Sequence, residues 1–227
     1  MADDSGTTAV NKVLIVDDHP IVCEGLRQLI DQEDDLEVCG IEDDVAGALE
    51  AIRRHEPDVV IVDLNLRGDD GLQLIRSAQN RTPQPRMLVL SMHEDGLYVE
   101  RALRAGAQGY LTKQEASGRV LTALRDILNG EIYLSDRLRR RQEEREAAQP
   151  ASDPMEDLSN RELQVFRLIG AGFGTRQIAE ELHVSIKTVE SHRRNIKQKL
   201  KLDSAMDLVR QAVRWSEREE NTLGSKE

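Results

Sequence analysis

The chain of 227 residues holds only two cysteines, Cys23 and Cys39, and that scarcity excludes a disulfide framework. Both read as reduced packing residues, Cys23 in a first helix and Cys39 in a second strand. No cysteines and histidines stand at metal-ligand spacing, so a zinc site is not expected. Apolar runs of about 18 residues or more are also missing, which excludes a membrane-spanning helix. The first eight residues, Met1 to Thr8, are polar and acidic, unlike a signal peptide, so a cytoplasmic location is expected. Apolar residues make up 39% of the chain, enough for the cores of two modest domains at this length.

The net charge of −11 would argue against nucleic acid if it were evenly spread, and it is not. Residues 1–135 carry 13 Lys+Arg against 25 Asp+Glu, whereas residues 156–215 carry 11 against 8. An acidic front part and a mildly basic rear part suggest separate partners for each.

The front part alternates short apolar runs with helical patterns. Strands are expected near 12–17, 36–41, 59–63, 86–90 and 109–111. Helices are expected at about 20–32, 45–55, 70–80, 96–105 and 117–129, with Pro20 suited to a first helical turn. Continuous β-branched runs of this kind form buried parallel strands, so the expected fold is α/β, doubly wound and flavodoxin-like. The strands end in chemistry: Asp17 and Asp18 after Val13-Leu14-Ile15-Val16, Asp63 after Val59-Val60-Ile61-Val62, Ser91 after Met87-Leu88-Val89-Leu90, and Lys113 after Gly109-Tyr110-Leu111-Thr112. Ligands in such sheets bind at the carboxyl ends of strands, which gathers these groups into one pocket. Solvent alone accounts for any single acid at a strand end, but not for the ordered set. Crowded carboxylates call for a hard dication, and Mg2+ fits a few carboxylate oxygens supplemented by water and phosphate. With Asp17 and Asp18 on the metal, Asp63 is free to act as a nucleophile that forms an acyl phosphate.

Asp17-Asp18, Asp63, Ser91 and Gly106-Ala107-Gln108-Gly109-Tyr110-Leu111-Thr112-Lys113 resemble the receiver domain of two-component response regulators. The resemblance implies that Asp63 accepts phosphate and that Asp17, Asp18, Asp63 and the Asn65 carbonyl form the Mg2+ site. It further implies that Lys113 pairs with the phosphoryl group and that Ser91 and Tyr110 rearrange together. Arg67 stands where many relatives carry proline, which bears on the rigidity of the loop after Asp63.

Behind a charged stretch, 137–146, and a Pro/Ala/Ser stretch, 147–154, four short helices are expected. Ser159 and Glu162 form a capping box ahead of Leu163, Val165, Phe166 and Ile169. Thr175 is expected to cap a second helix with Ile178, Ala179 and Leu182 inward, and Ser185 a third over 186–200 with Val189, Ile196 and Leu200 inward. The outer side of that helix carries Lys187, Ser191, Arg194, Asn195 and Gln198, flanked by Arg193, Lys197 and Lys199. Short helix, tight turn and polar cationic helix make a helix-turn-helix whose second helix enters the major groove. The strings Leu158-Ser159-Asn160-Arg161-Glu162, Gln177-Ile178-Ala179-Glu180-Glu181-Leu182 and Thr188-Val189-Glu190-Ser191-His192-Arg193-Arg194 resemble the LuxR-type DNA-binding domain. By that resemblance Glu190, Ser191 and Arg194 occupy the positions that most often face bases, and a last helix near 204–215, with Met206, Val209 and Val213, is where copies pair; Lys187, Thr188, Arg193 and Lys197 complete the expected DNA contacts, the cations on phosphates.

The whole is similar to the NarL/FixJ subfamily of response regulators. Expected are a disordered N-terminus over 1–11, a receiver domain over 12–131, a linker over 132–154, a small all-α helix-turn-helix domain over 155–216 and a disordered acidic tail over 217–227. Expected partners are a sensor histidine kinase, double-stranded promoter DNA with two half-sites, and a second copy of the chain upon phosphorylation. An adaptor that signals through protein contacts is the competing expectation. A phosphatase is disfavoured, because no second acid or base is placed for turnover.

Overall fold

The computed structural model describes residues 10–66, 70–148 and 154–224. Two compact units follow one another, 1–145 and 146–227.

In the first unit, strands β1 (Asn11–Val16), β2 (Leu36–Glu42), β3 (Val59–Asp63), β4 (Arg86–Ser91), β5 (Gly109–Thr112) and β6 (Tyr133–Leu134) form one sheet in the order β2-β1-β3-β4-β5-β6. Every pairing is parallel, as crossover helices require. Those helices are α1 (Pro20–Ile30), α2 (Val45–His55), α3 (Gly71–Ala78), α4 (Gly96–Ala105) and α5 (Ala116–Leu128). Alternation along the strands divides the core. Val13, Ile15, Val59, Ile61, Leu88, Leu90 and Leu111 pack against Cys23, Leu26 and Ile30 of α1 and Val120, Ala123, Leu124 and Ile127 of α5. The intervening Leu14, Val16, Val60, Val62, Met87 and Val89 are equally buried and point to the opposite face. The outer strands are poor edges. β2 carries Glu37 and Glu42 and is thrown out of register with β1 between Val13 and Leu14, and β6 is two residues long.

The described part of the stretch expected as linker, 132–148, is folded, whereas 149–153 lie outside the described residues. It contributes β6 to the sheet and then helix α6 (Asp136–Ala148), whose Leu138 is fully buried. Arg137 and Arg141 both pair with Glu94, and the Arg141 guanidinium also donates to the Glu94 carbonyl at 2.7 Å. The helix backbone lies so near α4 that a Cβ on Gly96 would sit 2.7 Å from the Arg141 carbonyl oxygen. Arg137 and Arg141 thus anchor the helix across the fold, through a partner 43 to 47 positions earlier, while Arg140 bonds along the helix to the Asp136 carbonyl.

The second unit is helical: α7 (Asn160–Gly170), α8 (Thr175–Glu181), α9 (Ile186–Lys199) and α10 (Ala205–Gly224), preceded by a 3-10 turn over Pro154–Asp157. Leu163, Val165, Phe166, Ile169, Ile178, Val189, Ile196, Leu208 and Ala212 make its core. Trp215 meets Phe166 edge-on at 5.9 Å and lies under the Arg167 guanidinium at 5.2 Å, which ties α10 to α7. Gly170 permits that crossing, since a Cβ there would lie 2.7 Å from the Ala212 carbonyl oxygen. The Ser159–Glu162 capping box is present, with bonds of 3.2 and 2.8 Å.

Three expectations need correcting. Thr175 is the first residue of α8 and not its cap; Gly174 holds the cap position, and its N–H donates to Gln177 Oε1 at 2.9 Å. Leu182 and Leu200 are only half-buried, because each sits at the non-helical end of its element. Helix α10 does not stop near 215 but runs to Gly224, into the stretch expected as disordered tail, whose last residues, 225–227, lie outside the described residues. The charged sequence after Trp215 consists largely of good helix formers, and it extends a helix already nucleated by packing.

Candidate functional site

Parallel pairing aligns the ends of β1, β3, β4 and β5 along one edge of the sheet, and Asp17, Asp63 and Lys113, which follow or end β1, β3 and β5, meet over one pocket. Asp17 and Asp63 are both buried, and Lys113 reaches between them, its Nζ 2.7 Å from Asp17 Oδ2 and 2.7 Å from Asp63 Oδ2. Burial pushes the Asp63 carboxyl above its ordinary value, the neighbouring Asp17 adds to that, and Lys113 only partly opposes them. Burial would lower Lys113, but the Asp63 and Asp17 carboxylates more than offset it and hold the ammonium charged. The Asn65 N–H donates to Asp63 Oδ1 at 3.0 Å and fixes the carboxylate's orientation. With Asp18 half-buried alongside, three carboxylates share one ammonium, an excess of negative charge that suits a dication.

The structure adds a residue that the sequence reading passed over. His19, directly after the acidic pair, has Nδ1 2.9 Å from Asp17 Oδ1 and 2.9 Å from Asp18 Oδ1. One ligand atom from each of Asp17, Asp18, His19 and Asp63 falls within 4.8 Å of the others. A histidine following two acids carries no spacing signature, and only the turn into α1, where the His19 N–H also donates to Asp17 Oδ1 at 2.9 Å, folds its ring back over the acids.

Beside the pocket, Ser91 and Tyr110 are buried on neighbouring strands. They meet through His93, whose N–H donates to Ser91 Oγ at 3.2 Å and whose carbonyl accepts from the Tyr110 hydroxyl at 2.8 Å. Burial pushes the Tyr110 hydroxyl far above its ordinary value, so it remains a neutral donor. The next residue is Glu94, the anchor of α6. Arg67 and Gly68, part of the loop after Asp63, lie outside the described residues.

On the second unit, Ser185 caps α9 by accepting from the Thr188 N–H at 3.0 Å. His183, in the left-handed region with φ of 51°, turns the chain sharply between α8 and α9. Val189 and Ile196 face inward. Lys187, Glu190 and Arg194 are exposed, and Thr188, Ser191, Arg193 and Lys197 are half-exposed around them. Ser191 Oγ donates to the Lys187 carbonyl at 3.0 Å, an internal bond that a ligand would have to compete with. Lys199 differs from the other flanking cations: its ammonium is 2.6 Å from the buried Glu162 and pairs with it within the unit. Burial lowers the affinity of the His192 imidazole for a proton, which keeps it neutral.

A family model described as response regulator receiver domain matches residues 13–125, and one described as bacterial regulatory proteins, luxR family, matches residues 156–212. The oxygen regulatory protein NreC of Staphylococcus carnosus is 34% identical over 210 residues, which span 89% of this chain and 97% of that protein. The chain belongs to the response regulators. Among solved structures, RcsB from Salmonella enterica serovar Typhimurium bound to promoter P1flhDC in the presence of phosphomimetic BeF3- is 29% identical, with a TM-score of 0.57, 88% of this chain and 96% of that one being covered. A LuxR-family two-component response regulator from Aurantimonas sp. SI85-9A1 is 31% identical, with a TM-score of 0.58 over 61% of this chain and 99% of that one. The luxR-family match over the second unit decides between the two expectations: this response regulator is a regulator of transcription and not a stand-alone adaptor. Among the described residues no helix is long and apolar enough to cross a membrane.

Proposed function

We propose that Asp63 is the phosphoacceptor through which a sensor histidine kinase controls binding of α9 to promoter DNA. The observation that carries this reading is the placement of Asp63: buried at the end of a central strand, 2.7 Å from Lys113, with Asp17 and Asp18 adjacent. A Asp63 carboxylate oxygen attacks phosphorus of a phosphohistidine, the P–N bond breaks, and the imidazole takes a proton as it leaves. Asp17 and Asp18, with Asp63 itself and the Asn65 carbonyl, would hold Mg2+, which neutralises charge on the transferring phosphoryl oxygens. Lys113 exchanges its bond with Asp17 for a phosphoryl oxygen, and Ser91 donates its hydroxyl to another. Since Ser91, His93 and Tyr110 are bonded in series, displacement of the Ser91 hydroxyl moves the chain between β4 and α4.

The reader over 155–216 inserts α9 into the major groove. Arg194 makes bidentate contact with guanine, Glu190 accepts from a cytosine amino group, and Thr188 and Ser191 touch base edges or phosphate. Lys187, Arg193 and Lys197 bind phosphates on the shoulders of the groove. One helix supplies little contact, so two copies bind two half-sites, paired through the exposed apolar side of α10. The protein works in the cytoplasm, where kinase and DNA are both accessible.

Incubation with acetyl phosphate and Mg2+ should add one phosphate, read by intact mass, and Asp63→Asn should add none. A full phosphate on Asp63→Asn would remove Asp63 from its role. Gel shifts on selected DNA across a salt series should show a steep salt slope, which a protein adaptor lacks.

A further inference from the structure

We propose that Glu94 is a latch between the phosphorylation pocket and helix α6, closed without phosphate and opened when phosphate on Asp63 draws Ser91 away from His93. The proposal rests on Asp63 as phosphoacceptor and extends that reading to the segment that leads out of the receiver.

One half of the latch is able to move. Residues 92–95 join β4 to α4 without helix or strand. Their main chain is held at His93, whose N–H donates to Ser91 Oγ at 3.2 Å and whose carbonyl accepts from the Tyr110 hydroxyl at 2.8 Å. The His93 ring stacks on Tyr98 with centroids 4.1 Å apart, and Asp95 caps α4 by accepting from the Leu97 N–H at 2.7 Å. A displacement of His93 therefore carries Glu94 and the first turn of α4 with it.

The other half is α6. The Glu94 carboxylate accepts from Arg137 at 2.9 Å and lies 3.5 Å from the Arg141 guanidinium, which also donates to the Glu94 carbonyl at 2.7 Å. Both arginines thus depend on where the main chain places this one residue. The start of α4 is already in contact with the α6 backbone, since a Cβ on Gly96 would lie 2.7 Å from the Arg141 carbonyl oxygen. A shift of that turn toward α6 meets main-chain atoms, and a shift away breaks the arginine bonds. Neither leaves the helix in place.

Little else among the described side chains of α6 resists its release. Leu138 is buried, whereas Arg137, Arg139 and Arg140 are exposed. Ion pairs in partial contact with water contribute weakly, so a helix held by them opens with a small change in its partner. The boundary between the two units, 145/146, falls within α6, which makes this helix the covalent path from receiver to reader.

The test is hydrogen–deuterium exchange, read by mass spectrometry on the full chain with and without acetyl phosphate and Mg2+, phosphate being counted by intact mass. In wild type, phosphate should speed exchange of the α6 amides at least tenfold. Glu94→Gln should take up phosphate yet show fast exchange in α6 with or without it. Arg137→Gln combined with Arg141→Gln should do the same, from the opposite side of the latch and without altering the loop beside the pocket. Slow exchange in β1 and β3 reports that the receiver is folded in each variant; should Glu94→Gln fail there, the arginine pair decides. In gel shifts, unphosphorylated Glu94→Gln should bind paired half-sites nearly as phosphorylated wild type does. Phosphorylated wild type with unchanged exchange in α6, variants with α6 as protected as wild type, or binding by Glu94→Gln that still needs phosphate would each overturn the latch and leave Asp63 in its role. Wild type that takes up no phosphate would overturn both.

Discussion

At the scale of single residues, the pocket depends on backbone that cannot yield. Gly71 opens α3 directly over the strand end, where its N–H donates to the Leu64 carbonyl at 3.1 Å. A Cβ there would lie 2.9 Å from Leu64 Cα and still closer to the Asp63 carbonyl oxygen, both of them main-chain atoms. Gly71→Ala should therefore destabilise the receiver by about 1–3 kcal/mol, the usual range for overpacking, and slow acetyl-phosphate uptake by displacing Asp63. Denaturant unfolding and intact mass measure the two effects. Lys113→Ala should retain some phosphorylation yet lose its effect on DNA affinity, since the cation bonded to Asp63 is gone; unchanged coupling in gel shifts would contradict that role. Asp17, Asp63 and Lys113 could be read from the sequence because each terminates an apolar run. His19 could not, because its position over the acids comes from a turn and not from a pattern. Glu94 was hidden for a related reason: its partners, Arg137 and Arg141, lie more than 40 positions away.

Elements follow the same division. The five longer strands and the helices between them were legible because a sheet buried on both faces needs continuous apolar runs, and its crossovers need amphipathic helices. Two residues, Tyr133 and Leu134, give no such signal, so β6 escaped notice. Helix α6 is polar along most of its length, and among its described residues the buried Leu138 and the distant Glu94 hold it, neither of which shows as periodicity. In the reader, the capping box was legible but its further bond was not. Burial alone would raise the Glu162 carboxyl, yet the Lys199 ammonium at 2.6 Å and the Ser159 N–H outweigh it and hold the group below its ordinary 4.5. The stability so gained is fully present above the unfolded value and is lost as pH falls through the lower folded one. Glu162→Gln should therefore cost about 2 kcal/mol at neutral pH, with the deficit narrowing below about pH 4.5. Trp215, the chain's single tryptophan, packs on α7 and reports this unfolding by its fluorescence in the intact protein.

Over the whole molecule, acidic and basic character are separated between a receiver and a reader, and both charge and apolar exposure bear on assembly. Helix α10 turns Leu208 and Ala212 inward and leaves Met206 72% and Val209 36% exposed. Met206→Glu should leave the reader folded but weaken binding to paired half-sites more than to a single one, as footprinting on both DNAs would show. Arg194→Ala should cost roughly 1–3 kcal/mol on the specific site and little on random DNA, whereas Lys197→Ala should weaken both alike and flatten the salt dependence. The sheet of the receiver limits how two copies can meet. One margin bears Glu37 and Glu42 and shifts register against β1, and the other ends after Tyr133 and Leu134. Strands that are charged, irregular or very short make poor templates for another chain's backbone. Receivers of this protein, crowded together on a promoter, are thus protected from zipping into a continuous sheet, and any association between them has to be written in side chains on helices, where it can be reversed when the phosphate is lost.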